Sequence, residues 1–239
     1  MMRRYRLGTM VVAGVAAVMA LTTQSHLASA DGLGYDGLPP QELCGLCHGL
    51  NGVSATARFP KLAGQKRAYI EKQLADFRAG RRANGGGQMA NVITEISEDQ
   101  YPEVALYFSQ LPPPPTSELE GDIDPVALAA AQELFTRGDE ARGIPACATC
   151  HVETHPTLSY APHLTAQHPG YLEKQLSDFK SGERANDATG TMAAIAQQLS
   201  ETEVAALAAY LGSMPRPAHQ PGAKTDATGT TPATGVAVP

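Results

Sequence analysis

The sequence of 239 residues contains no tryptophan, and aromatic residues make up only 5% of it. Small domains with so few large side chains would have thin cores, so we expect something besides side chains to fill them. Basic residues are also few, 18 against 24 acidic ones. This balance argues against a nucleic-acid-binding protein, because a phosphate backbone demands a basic surface. It suits a protein that docks on a basic partner.

Long apolar runs are missing outside the N-terminus. The first 30 residues combine arginines at positions 3, 4 and 6, a mostly apolar stretch at 7–21 and an A-x-A signal at 28–30. Together they predict a cleaved secretory signal peptide over 1–30. The apolar stretch is too short and too rich in alanine and glycine to span a membrane comfortably. We therefore expect a periplasmic protein whose mature chain has no transmembrane segment.

The usual catalytic patterns are absent too. The sequence has no nucleotide-binding glycine loop, no paired carboxylates and no Ser/His/Asp arrangement. We therefore expect no catalytic residues. The mature length suits one large domain or two small ones.

Cysteine is limited to four residues, which occur in two copies of one pattern. The segments CGLCHGLNG, starting at Cys44, and CATCHVETH, starting at Cys147, both contain C-x-x-C-H. Four cysteines in an exported protein usually predict two disulfides. The histidine after each pair instead makes C-x-x-C-H the attachment signature of a c-type haem. The predicted sites are covalent attachment at Cys44, Cys47, Cys147 and Cys150, with His48 and His151 as proximal iron ligands.

Two other interpretations of these motifs are less favoured. The cysteine pairs of a zinc ribbon lie closer together than the 103 residues that separate Cys44 from Cys147. A thioredoxin-like motif requires a βαβ setting, which this sequence does not suggest.

An internal repeat supports two equivalent halves. The segments YIEKQLADFRAGRRAN (69–84) and YLEKQLSDFKSGERAN (171–186) are identical at eleven of sixteen positions, at an offset of 102. Each segment has an apolar residue at i, i+4 and i+7, which predicts a helix that packs this stripe into a core. Glycines at 80 and 182 are predicted to end the two helices.

The repeat also suggests the second iron ligand. Met89 lies 41 residues after His48, and Met192 lies 41 residues after His151. A thioether suits haem iron and raises its reduction potential relative to a second imidazole. The equal spacing therefore predicts that Met89 and Met192 are ligands, although a lone methionine is more often core packing.

The whole stretch from Cys44 to Met89, CGLCHGLNGVSATARFPKLAGQKRAYIEKQLADFRAGRRANGGGQM, resembles class I cytochromes c, and closely the di-haem c4-type family. The resemblance covers nearly all of residues 40–214. It implies two linked cytochrome domains whose haems face each other, and an electron carrier in the periplasm. It also implies that Pro60 and Pro162 offer their backbone carbonyls to the haem histidines, a contact that fixes ring orientation and ligand basicity.

Several polar residues recur in both halves without an assigned role. They are Tyr69, Arg82 and Asn84 in the first half and Tyr171, Arg184 and Asn186 in the second. Haem propionates, the domain interface or a solvated helix face would each explain them. His155, His163 and His168, which follow the second motif, are predicted to be surface residues, with the alternative that one of them replaces Met192 as ligand.

The predicted fold is all-α, with two tandem class I cytochrome c domains. We expect a signal peptide at 1–30, domains at 31–111 and 124–214, a proline-rich linker at 112–123 and a disordered tail at 215–239. The predicted function is electron transfer through two haem c groups, with redox proteins as partners: a terminal oxidase, a cytochrome bc1-type complex or a dehydrogenase. The alternatives are a haem subunit of a periplasmic dehydrogenase and, less favoured, a di-haem peroxidase.

Overall fold

The structure, a computed structural model, describes residues 37–118, 123–151 and 160–216. The predicted signal peptide and His155 lie outside these ranges. Within them the secondary structure is helical apart from one isolated bridge between Asp139 and Ile144, so the all-α prediction is confirmed. No helix in the described part of the chain is long and apolar enough to cross a membrane.

Among the described residues, four α-helices belong to the first half and five to the second. The first-half helices are α1 (Pro40–His48), α2 (Arg67–Arg78), α3 (Gln88–Val92) and α4 (Tyr101–Gln110). The second-half helices are α5 (Pro125–Arg137), α6 (Cys147–His151), α7 (Pro169–Ser181), α8 (Thr191–Gln198) and α9 (Glu201–Ser213). Single 3-10 turns cover Ile93–Glu95, Glu98–Gln100 and Glu140–Arg142.

Each half has its own cluster of buried apolar side chains. In the first half α2, which carries the predicted stripe, packs against α4. In the second half α7, which carries the matching stripe, packs against α8 and α9. The buried stripe residues are Ile70, Leu74, Phe77, Leu172 and Phe179, with Leu176 partly buried. The repeat therefore packs the same helix face into both cores.

Local capping signals in the sequence account for several helix starts. The side chain of Asp124 accepts a hydrogen bond from the Val126 amide, and Pro125 opens α5. The sequence pattern Ser200-x-x-Glu203 predicts a capping box, and these two residues form that box at the start of α9.

One predicted cap is wrong. The segment SEDQYPEVALYFSQL (97–111) predicts a helix, and Pro102 would interrupt a helix that begins at Ser97, so the sequence favours Asp99 as the cap. The capping residue is instead Ser97, which forms a capping box with Gln100 on a 3-10 turn, and α4 then begins at Tyr101. Proline is accommodated in the first helical turn, where its missing N–H needs no partner.

The predicted tail begins too early, at Pro215. Arg216 is only 5% exposed, and its guanidinium is hydrogen-bonded to backbone carbonyls of both halves. Residues 217–239 lie outside the described residues. The proposed linker is described at 112–118, where the Pro115 carbonyl and the Ser117 hydroxyl accept hydrogen bonds from Lys61.

Candidate haem sites

Helix α1 places both cysteines of the first motif next to its histidine. Cys44 and His48 are buried, and Cys47 is exposed. All four cysteines of the chain are free thiols. Burial raises the pKa of Cys44 to about 11, and burial likewise raises the pKa of Cys147. The short helix α6 carries the second motif in the same order.

Both motif histidines have one ring nitrogen occupied by a proline carbonyl. Nδ1 of His48 lies 2.9 Å from the Pro60 oxygen, and Nδ1 of His151 lies 2.8 Å from the Pro162 oxygen. Since a carbonyl only accepts, Nδ1 carries the proton and Nε2 keeps its lone pair. Burial lowers the pKa of both histidines, which favours the neutral imidazole that metal ligation requires.

The two methionines occupy equivalent backbone positions. Met89 is the second residue of α3 and Met192 is the second residue of α8. Each helix is preceded by a left-handed glycine, Gly87 at φ +76° and Gly190 at φ +66°. Glycine adopts this conformation without the Cβ clash that other residues suffer. The Met192 amide also donates to Asp187 at 2.6 Å.

The donor set in each half fits a covalently attached haem. It consists of two free thiols, a neutral imidazole with an available Nε2, and one thioether that follows in the same repeat position. These are the groups that c-type attachment and His/Met axial ligation use.

The recurring polar residues lie between the two halves. Arg82 donates from Nη1 to Gln73 at 2.7 Å within its own half, and from Nη2 to Gln175 at 2.8 Å across the interface. The Tyr171 hydroxyl accepts from Arg82 at 3.1 Å. Arg184 makes the mirrored contacts with Gln175, Gln73 and Tyr69. A solvated helix face is therefore excluded for the arginines, which are buried.

Two carboxylates anchor this interface network. Asn84 donates to Asp178, and Asn186 donates to Asp76, both at 2.6 Å. Burial opposes ionisation of Asp76, but hydrogen bonds from Lys72, Asn186 and Arg81 outweigh it and hold the pKa of this carboxyl below its usual value. The anions are thus matched to cations and amides, as a buried charge requires.

The prediction that the histidines after the second motif are surface residues is wrong for two of them. His163 is 8% exposed. Nε2 of the half-buried His168 lies 2.9 Å from the hydroxyl oxygen of Ser54, in the other half. Both histidines contact the other half of the protein. The sequence around them, a polar loop, does not predict this contact.

Several interface residues escaped the sequence reasoning. They are Lys61, Gln65, Gln73, Gln167, Gln175 and Arg216, all buried. The repeat held a usable signal, because Gln65 and Gln167 as well as Gln73 and Gln175 are identical pairs at the offset of 102.

Comparison with known proteins shows the family to which the chain is similar. A family profile for cytochrome c matches residues 128–215. The chain is 37% identical over 188 residues to the cytochrome c4 of Pseudomonas aeruginosa, covering 77% of this chain and 90% of the relative. It is 32% identical over 207 residues to the thiosulfate dehydrogenase electron acceptor of Stutzerimonas stutzeri, covering 85% and 94%.

The crystal structure of reduced recombinant cytochrome c4 from Pseudomonas stutzeri matches with a TM-score of 0.61 at 34% identity, covering 73% of this chain and 96% of that one. The predictions of tandem class I cytochrome c domains and of two haem c groups are thereby confirmed. With this extent of similarity over both halves, the chain belongs to the cytochrome c4 family of di-haem electron carriers.

Proposed function

We propose that each half of this electron carrier holds one haem c with histidine and methionine as axial ligands. Cys44, Cys47, His48 and Met89 serve the first haem, and Cys147, Cys150, His151 and Met192 serve the second. The observation that carries this assignment is the imidazole of each motif, whose Nδ1 bonds a proline carbonyl beside two free thiols.

The haems supply one-electron chemistry, and the chain holds their surroundings fixed. A buried imidazole with its Nδ1 bonded to a carbonyl cannot easily rotate. Because both axial positions are filled by protein groups in this assignment, no coordination site is left for a substrate. Electron transfer without bond making is the function that such a site supports.

The interface keeps the two halves in one arrangement. Arg82 and Arg184 each bond the helix of the other half, and each guanidinium also lies over a phenylalanine ring of its own half, at 4.6 Å from Phe77 and 4.5 Å from Phe179. A buried, fully paired polar network is rigid and favours one packing. In the proposed function, electrons enter at one haem and leave at the other.

We place the mature protein in the periplasm, exported by the signal peptide at 1–30. Its negative charge suits docking on a basic patch of a redox enzyme. A respiratory oxidase or bc1-type complex fits this role. The similarity to a thiosulfate dehydrogenase electron acceptor supports a dehydrogenase as the electron donor. Stopped-flow reduction by such a dehydrogenase, compared with reduction by a bc1-type complex, would identify the donor.

Spectroscopy of protein matured in a host with haem-attachment machinery tests the ligand assignment. The wild-type mass should exceed the polypeptide mass by two haems, and the oxidised form should show the sulfur-to-iron charge-transfer band. Met89→Ala and Met192→Ala should each remove about half of this band. Met214→Ala is the matched control and should leave the band unchanged.

Other outcomes would contradict parts of the proposal. Full retention of the band in Met192→Ala would mean that another group, such as a histidine, binds the second iron. Rapid turnover of peroxide by the half-reduced wild-type protein would instead indicate a displaceable ligand and a peroxidase.

A further inference from the structure

Two buried glutamines bind the backbone of the opposite half in the same way. Gln167 accepts from the Lys61 amide at 2.8 Å and donates to the Lys61 carbonyl at 2.9 Å. Gln65 accepts from the His163 amide at 2.8 Å and donates to the His163 carbonyl at 3.0 Å. The exposed fractions of Gln65 and Gln167 are only 4% and 3%.

The contact at Lys61 lies next to a predicted iron ligand, His48. The Lys61 N–H and the Pro60 carbonyl belong to the same peptide unit, because the two residues are consecutive. That carbonyl accepts from Nδ1 of His48. A continuous chain of hydrogen bonds therefore runs from Gln167 in the second half, through one peptide group, to the histidine of the first half.

The second half contains the mirror image of this chain. The His163 N–H and the Pro162 carbonyl form one peptide unit, and that carbonyl accepts from Nδ1 of His151. The side chain that accepts from the N–H is Gln65 of the first half. Each motif histidine is thus connected to an amide of the domain to which it does not belong.

Hydrogen bonds in a chain polarise one another. An acceptor on a peptide N–H makes the carbonyl of that peptide a better acceptor. A better acceptor draws the Nδ1 proton of the imidazole, which makes the ring a stronger electron donor at Nε2. A stronger donor stabilises the oxidised iron and lowers the reduction potential.

We propose that Gln65 and Gln167 are reciprocal positioning residues, each of which orients and polarises the peptide that holds the axial histidine of the opposite half. This proposal rests on the proposed function, since it assumes that His48 and His151 bind iron. It makes the docking of the two halves a determinant of both potentials.

The test uses the full-length mature holoprotein with each glutamine replaced by leucine. Gln167→Leu should raise the potential of the first-half haem and speed hydrogen exchange at Nδ1 of His48. Gln65→Leu should do the same for the second-half haem and His151. Redox titration and NMR of the reduced protein provide the readouts, and the Met89→Ala and Met192→Ala proteins assign each signal to its half.

A matched control separates this role from general packing. Gln175→Leu removes another buried interface glutamine, which bonds Arg82, Asn84 and Arg184 but does not bond the Lys61 or His163 backbone. It should lower stability without accelerating Nδ1 exchange at His48 or His151. In the Gln167→Glu variant a carboxylate can still accept from the Lys61 amide, and when ionised it is a stronger acceptor than the amide oxygen. The potential of the first-half haem should therefore fall in this variant, in the direction opposite to its change in Gln167→Leu.

Three results would overturn the proposal: a leucine variant that affects only the haem of its own half, one that affects both haems equally, or one that affects neither. If Gln167→Leu fails to fold, Gln167→Asn replaces it, because the shorter side chain withdraws the amide from Lys61 by one methylene. Gln167→Asn should also raise the potential of the first-half haem and speed exchange at Nδ1 of His48. Failure of the proposed function would appear earlier and separately, as a wild-type protein without two haems or without the sulfur-to-iron band.

Discussion

The guanidinium of Arg216 donates from Nη1 to the backbone carbonyl of Ala63 at 2.6 Å. Its Nε and Nη2 donate to the Thr165 carbonyl at 3.1 and 2.9 Å. Ala63 and Thr165 are equivalent residues of the two halves, 102 positions apart. A single side chain after the last helix thus joins matching backbone positions of both domains.

Replacing this arginine should weaken the joint. Arg216→Ala removes three charge-assisted hydrogen bonds and leaves the buried Ala63 carbonyl and the partly buried Thr165 carbonyl without these partners. We therefore expect a loss of about 2 to 3 kcal/mol in the free energy of unfolding. Arg137→Ala, at an exposed arginine paired with Glu133, should cost less than about 0.5 kcal/mol. Urea denaturation of the oxidised holoproteins measures both values, and equal losses would contradict the role of Arg216.

The loop after the first motif depends on the absence of a side chain at one glycine. Gly52 has φ +70°, and a Cβ there would lie 2.6 Å from the Ala63 amide nitrogen. Gly52→Ala should therefore combine left-handed strain with a backbone clash and cost about 3 kcal/mol. Gly80→Ala, at φ +68° with open space around it, should cost only about 1 kcal/mol. Similar losses in urea denaturation would show that the clash relaxes.

An ion pair in the second half, between Arg142 and Glu203, should contribute to the loss of folding stability at acid pH. Two nitrogens of Arg142 bond the two carboxylate oxygens of Glu203 at 3.1 and 2.7 Å, and these bonds lower the pKa of Glu203 to about 2. A depressed carboxyl pKa contributes stability above the unfolded value, near 4.5, and this contribution is lost as the pH falls from there towards 2.

Glu203→Gln should therefore flatten the decline in stability between about pH 4.5 and 2. Glu201→Gln in the same helical turn serves as the control and should retain the wild-type slope. Denaturation midpoints measured at several pH values test this, and an unchanged slope in Glu203→Gln would show that the pair is already screened by solvent.

A lysine of the first half acts electrostatically on the histidine of the second. Burial is the main cause that lowers the pKa of His151, and the positive charge of Lys66 lowers it further. The hydrogen bond to the Pro162 carbonyl acts in the opposite direction and raises this pKa. The Lys66 cation also disfavours the oxidised, more positive haem. Lys66→Gln should lower the potential of the second haem, more at low than at high ionic strength.

Redox titration at two salt concentrations measures this effect. Arg137→Gln, at a well-exposed position on α5, is the charge-matched control and should leave both potentials nearly unchanged. A potential of the second haem that Lys66→Gln does not alter at low salt would exclude the cross-domain effect.

Elements governed by short spacing could be predicted from the sequence. The i, i+4, i+7 stripe of Ile70, Leu74 and Phe77 identified α2 and its buried face. The caps at Asp124 and Ser200 follow from the sequence in the same way, because a cap depends on residues two or three positions away. Asp99 was mistaken for a cap because Pro102 was taken to interrupt the turn in which it is tolerated.

Burial of polar residues was harder to predict. A histidine such as His163 after a polar loop looks exposed, and Gln65 and Gln167 look like ordinary surface residues at the start of a helix. Their environment depends on groups about a hundred residues away, which come close only when the halves dock. The same holds for Arg216, which follows the last regular helix and precedes a stretch without apolar periodicity.

The sequence alone determines the haem-attachment sites and the twofold repeat, since the C-x-x-C-H motifs and the equal histidine-to-methionine intervals depend only on the order of residues. Which partner each Gln, Arg and Asn of one repeat finds in the other is set by the folded arrangement of the two domains. Side chains separated by 89 to 115 residues have no local rule to pair them, so their hydrogen bonds follow from the close packing of two complementary surfaces.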